Sequence, residues 1–226
     1  RSGNKSATVT IVLDKTNPVG TLYAGETAKG SGTFTNAEYV KYAASDSGSG
    51  VAGLYVKEPG GSEFENYTSD TQLTAEGAYS FYAVDRAGNQ SETVTITLDK
   101  TNPTGTLYGG EDSLSSGAYT NAEYVKYIAS DGLSGLANCY VKMPGSSSFT
   151  AYASGTQLAT QGTYEFYCTD RSGNKSATVT ITLDKTNPTG TLYGGESSVN
   201  SGDATNAAYI KFIAQDETAL SGVFVK

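Results

Sequence analysis

Chemistry in this chain must come from carboxylates, hydroxyls and two thiols, because it contains no His. The commonest general base and metal ligand is thereby missing, and with it Ser-His-Asp and Cys-His nucleophilic catalysis and most zinc sites. Cys139 and Cys168 are the only thiols, with 28 residues between them. In an oxidising compartment they would form a disulfide worth about 3 kcal/mol; reduced, they would act as two small buried hydrophobes. Asp14, Asp99 and Asp184, then Glu26, Glu111 and Glu196, and Asp85 and Asp170 followed by Asn89 and Asn174, offer the hard oxygens that calcium takes six to eight at a time. Their spacing matches no dense acidic loop, and Asp and Asn also serve as plain turn formers that bond their own backbone.

A second group of residues could recognise a partner. Tyr55 and Tyr82 recur as Tyr140 and Tyr167, on strand faces that alternation turns outward. Paired outward rings could stack on sugars, pack against another filament, or serve as a cross-strand pair on a wet face. Lys41, Lys126 and Lys211 also recur on a strand, opposite the face carrying Val40 and Tyr42, and are expected in solvent. Asn4, Asn66, Asn89 and Asn174 lie in Asn-x-Ser/Thr sequons, which matter only in a glycosylating host.

The elements that position these residues are repeated. Leu13-Asp14-Lys15-Thr16-Asn17-Pro18 returns 85 residues later at Leu98–Pro103 and again at Leu183–Pro188. Divided at the Asn of Thr-Asn-Pro, the chain holds the end of one repeat (1–16), two whole ones (17–101 and 102–186) and the beginning of another (187–226). It is therefore expected to be part of a longer array. The recurrence also argues against a catalytic role for the cysteines, since Leu54 and Ala83 stand at their places in the preceding repeat.

Within a repeat the hydrophobic period is two. Val94, Ile96 and Leu98 alternate with Thr, and Tyr79, Phe81 and Ala83 alternate with residues that become polar in the next repeat. Val40, Tyr42 and Ala44, and then Leu54 with Val56, read the same way. Such alternation marks strands with one buried face, separated here by Gly-rich turns, at about seven short strands per repeat. The expected class is all-β, a series of β-sandwiches in an elongated array. Pro18, Pro103 and Pro188 stiffen the joints, because proline fixes its own φ and holds the preceding residue extended.

Charge and hydropathy exclude other classes. Fifteen Lys and Arg against 23 Asp and Glu give a net charge of −8 and a pI near 4.6, so no basic surface exists to neutralise phosphates. Nucleic-acid binding is not expected, nor is membrane insertion, since no apolar run reaches the roughly 18 residues of a span.

The pattern Thr-Asn-x-x-x-Val-x-x-x-Ala-x-Asp-x-x-Ser-Gly at 35–50, then Gly-x-Tyr-x-Phe-Tyr-x-x-Asp-Arg-x-Gly-Asn at 77–89 and the Leu-Asp-Lys-Thr-Asn-Pro strand end, resembles the tandem Ig-like repeats of large bacterial surface and adhesin proteins. The resemblance covers both complete repeats and both partial ones. It implies Ig-like modules of a secreted, wall-attached or appendage protein that extend a functional tip. Gly77-Ala78-Tyr79 and Gly162-Thr163-Tyr164 are similar to the tyrosine corner of Ig folds, with Phe81 and Phe166 where the usual inter-sheet Cys would be. The resemblance also places Cys139 and Cys168 on neighbouring strands. Lysines such as Lys41 form isopeptide bonds in some modules of this kind, where they are buried beside a carboxyl.

The function expected is a non-enzymatic extracellular spacer, a semi-rigid stalk or fibre segment on the cell surface or a secreted appendage. It needs no cofactor unless calcium binds at the aspartates. Its partners would be other repeats of the same chain, with host or cell-surface glycans or proteins met by a tip elsewhere. Two alternatives stand beside it: a filament or surface-lattice subunit that meets identical chains laterally or end to end, and a carbohydrate-binding module using the outward Tyr pairs.

Overall fold

A computed structural model describes residues 2–224. Among them there are strands and turns and no helix. The first eight strands are β1 (Val19–Ala24), β2 (Thr27–Lys29), β3 (Thr33–Thr35), β4 (Val40–Ser45), β5 (Val51–Lys57), β6 (Glu65–Tyr67), β7 (Gly77–Asp85) and β8 (Val94–Leu98). The next eight repeat the series: β9 (Thr104–Gly109), β10 (Asp112–Leu114), β11 (Ala118–Thr120), β12 (Val125–Ser130), β13 (Leu136–Lys142), β14 (Phe149–Tyr152), β15 (Gly162–Asp170) and β16 (Val179–Leu183). Then follow β17 (Thr189–Gly194), β18 (Ser197–Val199) and β19 (Ile210–Gln215).

The chain divides into two compact units. One is Arg1–Thr104 with Ser130–Asn138 and Cys168–Ser176; the other is Gly105–Ala129 with Cys139–Tyr167 and Ala177–Lys226.

In the first unit, a three-stranded sheet ordered β2-β1-β4 and a five-stranded sheet ordered β3-β8-β7-β5-β6 share one core, giving a sandwich-like arrangement. Leu22, Val40 and Tyr42 come from the smaller sheet, and Leu54, Val56, Tyr79, Phe81, Ile96 and Leu98 from the larger. The register explains the alternation: Tyr79 lies opposite Ile96 and Phe81 opposite Val94, so the apolar positions of both strands share a face. Tyr42 stacks on Phe81 with ring centroids 5.0 Å apart. Gly20 makes room for that ring, since a Cβ there would sit 2.0 Å from the Tyr42 hydroxyl. The Tyr79 hydroxyl donates to the Ala75 carbonyl at 2.8 Å, tying the start of β7 to the turn before it.

In the second unit the sheet β10-β9-β12 and strands of the sheet β11-β16-β15-β13-β14 bury the corresponding residues, among them Leu107, Val125, Tyr127, Tyr164, Phe166, Ile181 and Leu183. Tyr127 stacks on Phe166 at 5.4 Å, and the Tyr164 hydroxyl donates to the Thr160 carbonyl at 2.5 Å. The same unit holds β18-β17-β19, in which Leu192 pairs with Phe212 as Leu22 does with Tyr42.

Val9, Ile11 and Leu13 alternate as Val94, Ile96 and Leu98 do, yet residues 2–18 carry no strand, and the three side chains are 90, 92 and 82% exposed. β8 is buried because it lies between two neighbours, parallel β3 and antiparallel β7. Each such slot among the described residues is filled by β8 or β16, and alternation without a slot leaves apolar side chains in water.

Candidate functional site

Two sets of three aspartates are drawn together. Asp14, Asp46 and Asp85 form one and Asp99, Asp131 and Asp170 the other; within each set, one carboxylate oxygen per residue lies within 4.8 Å of the others. Both sets belong to the first unit. Each member stands at the C-terminal end of a different strand: Asp99 follows β8, Asp131 follows β12, and Asp170 closes β15.

Backbone donors hold each carboxylate in place. Asp99 accepts from the Thr101 and Ser134 N–H groups, both at 3.0 Å. Asp131 Oδ1 accepts from the Gly135 N–H at 2.7 Å and the Leu133 N–H at 3.2 Å. Asp170 Oδ1 accepts from the Gly173 and Asn174 N–H groups, both at 2.8 Å, and its Oδ2 from Asn174 Nδ2 at 2.7 Å. Asn174 Nδ2 also donates to the Asp99 carbonyl at 2.9 Å.

The first set copies this plan. Asp14 Oδ2 accepts from the Ser49 N–H at 2.6 Å, Asp46 Oδ1 from the Gly50 N–H at 2.8 Å, and Asp85 from Asn89. Hydrogen bonds from Thr16, followed by those from Ser49, hold the Asp14 carboxyl far below the usual carboxylate range. At Gly48 a Cβ would come within 2.4 Å of the Asp14 carboxyl.

The donor set suits a hard divalent cation. Calcium takes such oxygens at about 2.3–2.6 Å. Three carboxylates converging within 4.8 Å repel one another, and a cation among them would reverse the sign of the interaction. Asp85, Asp99 and Asp170 are at most 2% exposed, which strengthens both effects.

Of the acids expected to bind calcium, Asp14, Asp85, Asp99 and Asp170 are gathered, while Asp184 and the three glutamates are not. Asp184 meets Asp216 and Thr218, whose hydroxyl donates to both carboxylates; Thr186 and then Thr218 lower the Asp184 carboxyl. Among the described residues no third acid joins them. Glu111 lies apart from the aspartates, because its carboxylate is engaged by Lys126 Nζ at 2.9 Å and by the Tyr124 hydroxyl. Those contacts lower the Glu111 carboxyl, Tyr124 contributing most. Glu26 with Tyr39 and Lys41, and Glu196 with Tyr209 and Lys211, repeat the arrangement.

The lysines also differ from expectation. Lys41 and Lys126 have side chains only 13% and 12% exposed, and their Nζ atoms lie over the Tyr23 and Tyr108 rings, 5.4 and 5.3 Å from the ring centroids. Asp46 and Asp131 were missed by sequence reasoning, although both stand in the recurring Ala-x-Asp motif.

The outward tyrosines form self-contained clusters. Tyr55 stacks on Tyr82 at 4.8 Å with Phe64 edge-on, and Tyr140 stacks on Tyr167 at 4.9 Å with Phe149 edge-on. Two tyrosine faces in each cluster are therefore covered by a ring of the same chain. Phe64 and Phe149, on neither alternating run, were not foreseen. Cys139 and Cys168 are both disulfide-bonded and buried, which excludes the reduced-thiol alternative in this structure. Leu54 and Ala83, their counterparts, are direct cross-strand neighbours, so the sheet geometry brings such positions together. Pro18 and Pro103 are buried and Pro188 is exposed, each just before the first strand of a three-stranded sheet. Asn174, a sequon residue, has its amide engaged by Asp99 and Asp170.

No protein-family model and no curated protein sequence matches the chain. The class defined by fold and site together is an all-β, sandwich-like repeat protein with paired aspartate clusters.

Proposed function

We propose that the chain is a non-enzymatic, extracellular structural module, a semi-rigid stalk or fibre segment of a bacterial surface or adhesin-type protein. Its repeats, 17–101 and 102–186, are read as Ig-like sandwiches. The tyrosine hydroxyls that reach back four residues, at Tyr79 and Tyr164, support that reading.

The observation that carries the proposal is the bonding around Asp99. This residue ends one sequence repeat, and its carboxylate and carbonyl receive Ser134 and Asn174 of the next. Asp14 makes the same contacts to Ser49 and Asn89. A bonding plan that recurs at two successive repeat boundaries suits a load-bearing series of modules, because it replaces a free linker by a fixed joint. The paired tyrosines, covered by their own neighbours, favour this reading over a sugar-binding face.

Small-angle scattering at the dilute limit tests it. A stalk segment gives an elongated particle of defined maximum dimension, and Asn174→Ala with Asp99→Ala broadens that dimension. A scattering profile of freely jointed globules in the unmodified chain would overturn the reading.

A further inference from the structure

In the core, tyrosine stacks on phenylalanine: Tyr42 and Tyr79 on Phe81 in the first repeat, Tyr127 and Tyr164 on Phe166 in the second. On the outer face of each five-stranded sheet, tyrosine stacks on tyrosine. Tyr55 of β5 lies directly opposite Tyr82 of β7 in the strand register, with ring centroids 4.8 Å apart and planes 16° from parallel. Their counterparts, Tyr140 and Tyr167, keep 4.9 Å and 24°. Phe64 and Phe149 stand edge-on against Tyr82 and Tyr167, both at 4.8 Å. All four tyrosines are half-buried, so each pair is held by its sheet and still open to small molecules in solution.

Two phenols held in this way can be joined. Near-parallel rings touch at about 3.5–4.0 Å between carbons, so rings with centroids 4.8 Å apart are slipped, and an edge of one lies over the other. A phenol that loses one electron and its proton becomes a radical whose spin rests partly on the two ring carbons beside the hydroxyl. Two such radicals couple through those carbons, and holding them side by side makes the coupling a step within one molecule rather than an encounter between two. The Tyr–Phe stacks of the core lack the second phenol and have no such reaction.

We propose that Tyr55 with Tyr82, and Tyr140 with Tyr167, are oxidative cross-linking sites, each pair being converted to dityrosine by a peroxide acting through a peroxidase-type oxidant. Each tyrosine gives up one electron and its phenolic proton, and a carbon–carbon bond forms between one Cε of each ring. The hydrogen on each joined carbon then moves to the phenolic oxygen, which restores both phenols. One hydrogen peroxide takes up the two electrons and two protons and leaves as two waters. In the first repeat the product ties β5 to β7 one position along from Leu54 and Ala83, where the second repeat carries its two cysteines. It closes a loop of 26 intervening residues and so constrains the unfolded chain as a disulfide does. The proposal goes beyond the structural-module reading and is independent of it, since it depends only on ring geometry within one sheet.

The experiment treats the full chain, at low concentration, with hydrogen peroxide and a haem peroxidase. Dityrosine fluorescence, denaturing gels and peptide mass spectrometry read the products. A fluorescent product of monomer size is expected, with the Tyr55 peptide linked to that of Tyr82 and the Tyr140 peptide to that of Tyr167, each pair lighter by two hydrogen atoms. Tyr82→Phe, which keeps the ring stack and removes one phenol, is expected to lose the first link and keep the second; Tyr167→Phe is expected to do the reverse. A treated chain without intrachain dityrosine overturns the proposal, and so does an intrachain yield that the two substitutions together leave unchanged.

Discussion

Asn174 donates its side-chain amide to the backbone carbonyl of Asp99, 75 residues away, and Asn89 does the same to Asp14 across the same interval. The bond is 2.9 Å and buried at Asn174, 3.3 Å and half-buried at Asn89. Truncating Asn174 to Ala strands a buried carbonyl and removes a donor from Asp170, so it is expected to cost about 1–3 kcal/mol. Asn89→Ala is expected to cost less. Denaturant unfolding of the two variants checks the order; equal losses would contradict it.

The aspartate sets make a prediction about cations. With chelator present, Asp131→Asn is expected to stabilise the protein by on the order of 1 kcal/mol, because it removes one of three mutually repelling charges while keeping an oxygen for the Gly135 N–H. Calcium is expected to raise the melting temperature of the unmodified chain, chelation to reverse the gain, and Asp131→Asn to blunt the response. Thermal melts with calcium and with chelator decide this, and a variant responding as strongly as the unmodified chain would sink it.

The Glu-Tyr-Lys groups predict opposite behaviour at the two ends of the pH scale. Lys41, then Tyr39, lowers the Glu26 carboxyl, and Tyr124, then Lys126, lowers that of Glu111, each from 4.5. A carboxyl depressed by folding contributes stability that is fully present above 4.5 and is lost as the pH falls through the folded value. Lys41 and Lys126 are raised from 10.5, chiefly by their Glu partners, so their contribution is present below 10.5 and lost as the pH rises through the folded value. The difference in melting temperature between the unmodified chain and Glu111→Gln is therefore expected to hold at neutral pH and to close on acidification below 4.5. A gap that is constant with pH would assign the effect to packing.

The long strands were legible in the sequence because one buried face imposes a period of two, and the 85-residue recurrence confirmed each of them independently. Short strands such as β2, β6 and β10 were not, since three residues cannot display a period. Of the aspartate sets, Asp14, Asp85, Asp99 and Asp170 could be read from their places beside Thr-Asn-Pro and Gly-Asn, while Asp46 and Asp131 looked like ordinary turn formers before glycine. Only the folding of distant turns onto one point distinguishes them. Glu111 misled for the converse reason: an acid between strands reads alike whether it faces a cation site or a lysine on the neighbouring strand.

Cys139 and Cys168 allow a control that the protein itself supplies. Reducing the bridge is expected to cost about 3 kcal/mol, the entropy of a closed loop of this length, and to leave two thiols in the core. Leu54 and Ala83 fill the same two positions in the first repeat without a bridge, and both are buried there. The double substitution Cys139→Leu with Cys168→Ala should therefore keep the fold and lose its sensitivity to reductant, because Leu restores the apolar volume that one thiol lacks and Ala fits where the facing strand is close. Melting curves with and without reductant separate the contributions. If the bridge acts through chain entropy, the double variant unfolds below the oxidised protein; if it unfolds at the same point, packing alone sustains the second repeat as it does the first.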